Sequence, residues 1–334
     1  MDKLLISFCI PTRNFGQYIE STLSNILANN HDFFEVIVID GGSTDNTKDI
    51  VGRFVASDNR VKYIYLDTPA GLDADLAQAT RLARGKYLWL FSADDRLVEC
   101  GFRKVSELLA VNCDAYLLNR IESHVKKNVV TSKTWLRADI KSTVFDFSNE
   151  ESFVTYLDNS RSLGALFSFI SSIIVITKTY NAIDVPPSLI GSNYAHTYRV
   201  LRMLKSSGKL YYLNEPIVLC TTGNDSFLEN SDEGLKRRFK IDFDGFKNIL
   251  TFLNLSSKEY AAFCSVMRRE HGFKDLTRYA LRIVDLREFD YLSSVMREYG
   301  YSWLYLFAVR AVYTVECHTK IFSFVRFFRK KYLK

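Results

Sequence analysis

No stretch of eighteen uncharged apolar residues occurs anywhere in this chain of 334 residues, so a membrane-spanning helix is not expected. The six cysteines (Cys9, Cys100, Cys113, Cys220, Cys264, Cys317) are scattered without a C-x-x-C spacing. That scatter argues against a zinc site or a dense disulfide framework and fits a reducing cytosol. No G-x-G-x-x-G follows the first apolar run, and no G-x-x-x-x-G-K-[ST] occurs at all, which disfavours a dehydrogenase or a P-loop enzyme. Met1-Asp2-Lys3 leads directly into an apolar stretch too short for a signal-peptide core, so no leader is expected. Internal repeats and low-complexity tracts are also missing.

What is present is the composition of a folded enzyme. Hydrophobic residues make up 47% of the chain and charged residues 25%, enough for a real core in two subdomains or in one domain with an appendage. The net charge of +6 is concentrated at the C-terminal end, where Lys320, Arg326, Arg329, Lys330, Lys331 and Lys334 occur without an acid. The body is therefore neutral, which argues against a nucleic-acid groove and makes the tail the place for an anionic partner.

Over the first 110 residues the apolar pattern alternates between strand and helix periods. Strands are expected at Leu4–Ile10, Val36–Ile39, Val61–Leu66 and Tyr87–Phe91, with helical segments from Ile19, over Thr47–Val55, Leu72–Ala83 and Phe102–Val111. Further on, Asp114–Asn119, Ile173–Thr177 and Tyr211–Thr221 have strand character, and Tyr194–Leu204 reads as a helix. Such alternation implies a doubly wound, mostly parallel α/β sheet whose ligands bind beyond the carboxyl ends of the strands.

Three of the loops at those ends are polar: Pro11-Thr12-Arg13-Asn14, Asp40-Gly41-Gly42-Ser43-Thr44-Asp45 and Ser92-Ala93-Asp94-Asp95. Asp40 follows four apolar residues, so its carboxylate is expected at a strand tip, suited to a base or ribose, while Gly41 and Gly42 permit close backbone approach. The alternative is a strand-to-helix turn capped by Ser43 or Thr44. Adjacent carboxylates at Asp94 and Asp95 repel unless a cation or a hydrogen-bond network compensates. Mg²⁺ suits that task, because it binds one or two carboxylates together with substrate phosphates. The alternative is a solvated turn neutralised by Arg96.

Together the segments Phe8–Asn14, Val38–Thr47 and Ala83–Asp95 resemble glycosyltransferase family 2, in order as well as in content. The resemblance covers about the first 100 residues, with a weaker echo near residues 165 to 220. It implies the GT-A nucleotide-sugar-binding fold and a metal-dependent transfer from a nucleoside-diphosphate sugar. Residues 1–110 would form the nucleotide-sugar half, 111–225 the acceptor half, and 226–334 a helical C-terminal extension. Pro11, Thr12, Asn14, Asp40 and Gly42 would line the nucleoside pocket. Asp94 would contact the ribose side, and Asp95 would ligate Mg²⁺ or Mn²⁺. Of the two acids in the next helix, Asp75 rather than Asp73 is expected near the base, the alternative being two exposed acids favoured by the helix dipole. Ser168–Ser172 would face the donor diphosphate. Lys126-Lys127 and Trp135 lie in a polar stretch expected to be solvated surface, or a lid.

Within the family the chain resembles bacterial O-antigen transferases that handle dideoxyhexoses such as abequose. That likeness implies a CDP-linked donor, with a UDP-linked one left open, and a glycan acceptor carried on a lipid. Family members place an acid six residues before the arginine matched by Arg202, and that position holds His196 here. An imidazole can serve as a base near neutrality, so His196 is the expected catalytic base, the alternative being a histidine packed within its helix. The tail interleaves its basic residues with Ile321, Phe322, Phe324, Val325, Phe327 and Phe328, behind Trp303, Leu304, Leu306, Phe307, Val309 and Val312, the alternative being a helix packed on the body with a basic solvent face. This pattern suits peripheral attachment to the cytoplasmic face of an anionic inner membrane. A nucleotidyltransferase and a catalytically silent nucleotide-sugar-binding module remain the alternatives.

Overall fold

A computed structural model describes residues 4–29, 31, 33–125, 129–206, 208–224, 232–282 and 286–321. Ten strands form one sheet: β1 (Ile6–Thr12), β2 (Phe34–Asp40), β3 (Val61–Tyr65), β4 (Tyr87–Leu90), β5 (Arg96–Leu97), β6 (Ala115–His124), β7 (Val130–Lys133), β8 (Thr143–Asp146), β9 (Ile173–Ile176) and β10 (Lys209–Thr222). Their main order is β3-β2-β1-β4-β9-β6-β10-β5, with β7 beside β6 and β8 beside β10. β1 to β4 pair in parallel, as expected from the alternation of strands with α1 (Gly16–Leu27), α2 (Thr47–Ser57) and α3 (Leu72–Leu82). The second half departs from parallel. β9 runs antiparallel to both neighbours, β4 and β6, so the sheet is mixed, and β6 with β10 restores a parallel pair.

The period-two pattern of the strands separates two apolar layers. Phe8, Ile10, Val36, Val38 and Trp89 point to α1, α2 and α4 (Gly101–Leu108), where Ile19, Leu23, Val51 and Phe102 complete one core. Cys9, Ile37, Ile39, Leu88 and Leu90 point the other way, to Leu76 and Ala79 of α3. That second core continues through α5 (Glu150–Asn159), α6 (Thr177–Asn181) and α7 (Ala195–Lys205) into the C-terminal helices. These are α8 (Asp232–Phe252), α9 (Ser257–Glu270), α10 (Phe273–Ala280), α11 (Leu286–Glu298) and α12 (Trp303–Thr319). Phe243, Phe246, Phe263 and Met267 are buried against Leu201 and Leu204, so the helical extension shares the core of the sheet domain.

Trp135 is neither lid nor solvated surface. It is buried, donates from Nε1 to the Leu118 carbonyl at 2.8 Å, and lies 3.7 Å beneath the Arg120 guanidinium. Burying the indole while satisfying its single donor outweighs the polar sequence around it. Lys126 and Lys127 lie outside the described residues. All six cysteines are unpaired, four of them buried. No helix among the described residues is long and apolar enough to cross a membrane.

Candidate active site

A cleft of about 730 Å³ opens where the parallel strands end. It is lined by Pro11, Thr12 and Asn14 from the end of β1, Asp75 from α3, Ser92 after β4, and Asn193 before α7. Its edge is assembled by loop-to-loop hydrogen bonds. The Asn14 N–H donates to Ser43 Oγ at 2.8 Å, the Thr44 N–H donates to Asn14 Oδ1 at 2.8 Å, and the Gly16 N–H donates to Asp45 Oδ2 at 3.0 Å. Asn14 reaches this position with φ 57°, in the left-handed region that asparagine tolerates better than most residues. The β1 and β2 loops are thereby locked into one surface.

Asp40 stands at the tip of β2 but does not open onto the cleft. It is fully buried, with Oδ1 accepting the Ser43 N–H at 2.8 Å and Oδ2 accepting the Tyr63 hydroxyl at 2.7 Å. Its role in this geometry is to close the 40–43 turn, in which Gly42 adopts φ 77°. Its charge is felt by Asp75. Burial first, then repulsion from Asp40, pushes the Asp75 carboxyl up to about 6, against an opposing pull from Arg13. Gly41 makes this closeness possible, since a Cβ there would lie 2.6 Å from Asp75 Oδ2.

Asp75 Oδ1 and Thr12 Oγ1 are both buried without a partner in the protein. Unsatisfied buried polar atoms are rare and costly, and here both belong to residues that line the cleft, as a ligand site would have them. Asp73 behaves differently. Its carboxylate accepts N–H groups of Gly191 and Asn193, both at 2.9 Å, and of Ala195 at 3.2 Å, pinning the loop that enters α7. From the other side Tyr194 donates to Asp242 of α8, which also meets His271 at 3.2 Å. Two buried carboxylates thus hold the segment that carries Asn193 into the cleft. The periodicity of α3 alone could not separate Asp73 from Asp75, and nothing in the sequence linked Asp242 to the site.

The acidic pair divides in the fold. Asp94 is half-buried and is not itself among the residues lining the cleft, but it accepts from the hydroxyl of Ser92 and, at 2.6 Å, from Nδ2 of Asn224, both of which line it. Asp95 is 1% exposed and points into the protein. Its oxygens accept the Ser171 hydroxyl at 2.6 Å and the Thr221 N–H at 3.0 Å, while burial and the neighbouring Asp94 raise its pKa. The hydroxyl of Ser171 is therefore consumed by Asp95, and that of Ser172 accepts from Trp135, so neither is presented as expected. Ile170 is the member of that segment that reaches the cleft.

His196 is 3% exposed on the inner face of α7 and is not among the residues lining the cleft. Its Nε2 lies 3.1 Å from the Phe167 carbonyl, which makes Nε2 the protonated nitrogen, and burial lowers the imidazole pKa to about 4. The ring is neutral at physiological pH. Among the described residues no group of three or more His, Cys, Asp or Glu could hold a metal by itself. Asp94 is half-buried just behind the lining residues Ser92 and Asn224, and a cation there would take most of its ligands from phosphate and water.

A family model described as glycosyl transferase family 2 matches residues 7–164. Over 273 residues the chain is 32% identical to the abequosyltransferase RfbV of Salmonella typhimurium, covering 79% of this chain and 78% of that one. It is 30% identical over 107 residues to the glycosyltransferase GlyG of Streptococcus pneumoniae, 31% of this chain and 36% of that protein. Among solved structures, S. aureus TarS 1-349 in complex with UDP superposes with a TM-score of 0.59 at 16% identity, over 93% of this chain and 90% of that one. The mannosyltransferase PcManGT from Pyrobaculum calidifontis, in complex with GDP-Man and Mn²⁺, gives 0.51 at 15% identity, over 93% and 86%. These likenesses are to the fold.

Proposed function

Since the chain belongs to glycosyltransferase family 2, we propose that it transfers a dideoxyhexose such as abequose from a CDP-linked donor to a lipid-linked glycan of a bacterial surface polysaccharide. The observation that carries this reading is the cleft itself, whose lining residues Thr12 and Asp75 hold buried polar atoms without protein partners. The similarity to an abequosyltransferase over most of both chains supports the sugar and the bacterial setting.

In this assignment Pro11 and Thr12 wall the nucleoside, Asn14 holds the rim, and Asp75 faces the base. A carboxyl with a pKa near 6 is available as a neutral acid, and a neutral acid matches the cytosine edge. Its O–H donates to N3 while its carbonyl accepts from the exocyclic amine. The diphosphate then extends towards Ser92 and Asp94. Asp94 is the group that would hold Mg²⁺ or Mn²⁺, which would neutralise charge gathering on the departing nucleoside diphosphate. Asp95, with both oxygens bonded inside the protein, fixes the backbone that presents Asp94. His196 likewise supports the turn at Phe167, and its low pKa makes it a poor proton acceptor.

Attachment to an anionic membrane is part of the proposal. On α12, Trp303 is 73% exposed and Phe307 66%, with Leu304 exposed between them. The basic aromatic residues that follow, from 322 onward, lie outside the described residues. An apolar face leading into a cationic segment suits insertion at the headgroup level. Mixing the protein with CDP- and UDP-linked sugars, Mn²⁺ and a bacterial lipid extract should release nucleoside diphosphate. Release of inorganic diphosphate from a nucleoside triphosphate would indicate nucleotidyl transfer instead, and binding without any turnover would indicate a silent module.

A further inference from the structure

Another face of α3 looks away from the donor cleft, into a separate cavity of about 260 Å³. Leu72 and Asp75 line the cleft, whereas Asp73, Leu76, Ala77 and Arg81 line the cavity, and the two spaces share no lining residue. Across from α3, α7 contributes His196 and Arg199, three residues apart and therefore on one helix face. The volume is several times the roughly 30 Å³ of a water molecule and just below the range of about 300–1,000 Å³ typical of ligand pockets. It has room for one molecule of about monosaccharide size.

Two buried polar atoms in this wall lack partners. His196 is almost fully buried and donates from Nε2 to the Phe167 carbonyl at 3.1 Å, so Nδ1 carries a lone pair, and no group in the protein donates to it. Arg199 Nε is likewise buried without an acceptor, its guanidinium 5.4 Å from the centre of the Tyr180 ring. Neither atom has a part in the donor-site assignment. Unsatisfied buried groups are rare and costly, and the two needs here are complementary: one atom requires a donor, the other an acceptor. The charge of the wall is also uneven. The Asp73 carboxylate is taken up by the N–H groups of Gly191, Asn193 and Ala195. Arg199 and the exposed Arg81 bring two cations, and between them Leu76, Ala77, Val185 and Ile190 supply an apolar lining.

We infer that this cavity is a second ligand site, distinct from the donor cleft, for a small anion that also carries a hydroxyl and an apolar flank. A deoxysugar phosphate meets all three demands. Its phosphate sits at Arg199 and Arg81, where charge-assisted hydrogen bonds are about twice as strong as neutral ones. A hydroxyl donates to His196 Nδ1, and the deoxygenated edge of the ring lies on the apolar residues of α3 and of the segment before α7.

The test titrates the full chain with fucosyl phosphate, free fucose and inorganic phosphate in a calorimeter. Fucosyl phosphate should bind one-to-one and roughly tenfold or more tightly than free fucose, as one charge-assisted contact requires. Inorganic phosphate should bind several-fold more weakly than the ester, because it leaves the apolar lining uncovered. Saturating CDP with Mn²⁺ should leave fucosyl phosphate bound. Arg199→Met removes the guanidinium and keeps an unbranched stem, and should lower the affinity for fucosyl phosphate to that for fucose. Ala77→Leu fills the cavity from α3 and should abolish binding of all three probes, with the melting transition showing a folded chain and CDP affinity unchanged. Failure of CDP to bind would overturn the donor-site reading alone, since the Arg199 and Ala77 variants report on the cavity without it. Displacement of fucosyl phosphate by CDP, an equal affinity for inorganic phosphate, binding that survives in both variants, or no binding of fucosyl phosphate to the wild-type chain would overturn the assignment.

Discussion

Replacing Asp75 by asparagine converts a titrating acid into a fixed mimic of its neutral form, with an N–H for cytosine N3 and a carbonyl for the exocyclic amine. In the wild-type chain the acid must be protonated to make that pair. With a pKa of about 6, affinity for CDP follows the neutral fraction and should weaken about 25-fold between about pH 5.5 and about pH 7.5. Uracil presents N3–H and needs the ionised carboxylate, so a uridine site would show the opposite sign, about fourfold tighter binding over the same interval. Calorimetric titration of CDP and UDP at three pH values, with Mg²⁺ present, measures both slopes. Asp75→Asn should bind CDP with the low-pH affinity throughout and lose the slope. Removing the carboxylate also removes its repulsion with Asp40, so the ligand-free variant should melt higher than wild type, with a gap that opens as pH rises above about 4 and is complete above about pH 6. CDP affinity that is flat in the wild type, or that rises with pH, would refute the pairing. An unchanged slope in Asp75→Asn would remove Asp75 from the base site.

The two acids after β4 should separate in their effects. Asp94→Asn should abolish Mn²⁺-dependent tightening of nucleotide binding, with a stability loss of about 0.5–1.5 kcal/mol from the weakened bonds to Ser92 and Asn224, smaller than that of the fully buried Asp95. Asp95→Ala should instead destabilise the fold by about 1–3 kcal/mol in denaturant titration, because Ser171 and Thr221 lose their acceptor. His196→Ala should cost about 0.5–1.5 kcal/mol of stability, because it removes one of two donors to the Phe167 carbonyl and leaves the Thr197 hydroxyl at 3.1 Å in place. A loss in kcat of about 10² with unchanged stability would restore His196 as the base. Deleting residues 318–334 removes six basic side chains, each contributing about 1 kcal/mol near an anionic surface. The truncated chain should remain in the supernatant with phosphatidylserine vesicles, and co-sedimentation equal to wild type would refute the anchor.

The sequence by itself determined the four parallel strands, the helices between them and the polar loops at their ends. Those depend on local period and on short motifs, and they hold with boundary shifts of a residue or two, as at Val61–Tyr65 and Leu72–Leu82. It also marked Pro11, Thr12, Asn14 and Asp75, all of which the fold brings to one cleft. The direction in which a side chain points, and what it meets there, was decided only by tertiary structure. Asp40 and Asp95 read as ligand-facing because a carboxylate at a strand end ordinarily seeks solvent or a cation. Here Tyr63, Ser43, Ser171 and Thr221 meet them first, with up to 126 residues between partners. Trp135 and His196 followed the same course, drawn inside because carbonyls at Leu118 and Phe167 waited for their N–H groups. The clasp of Tyr194 by Asp242, across 48 residues, left no local trace. A pattern of period two or 3.6 records which face of an element is apolar, whereas satisfaction of a buried polar group depends on partners that become neighbours only when the chain closes.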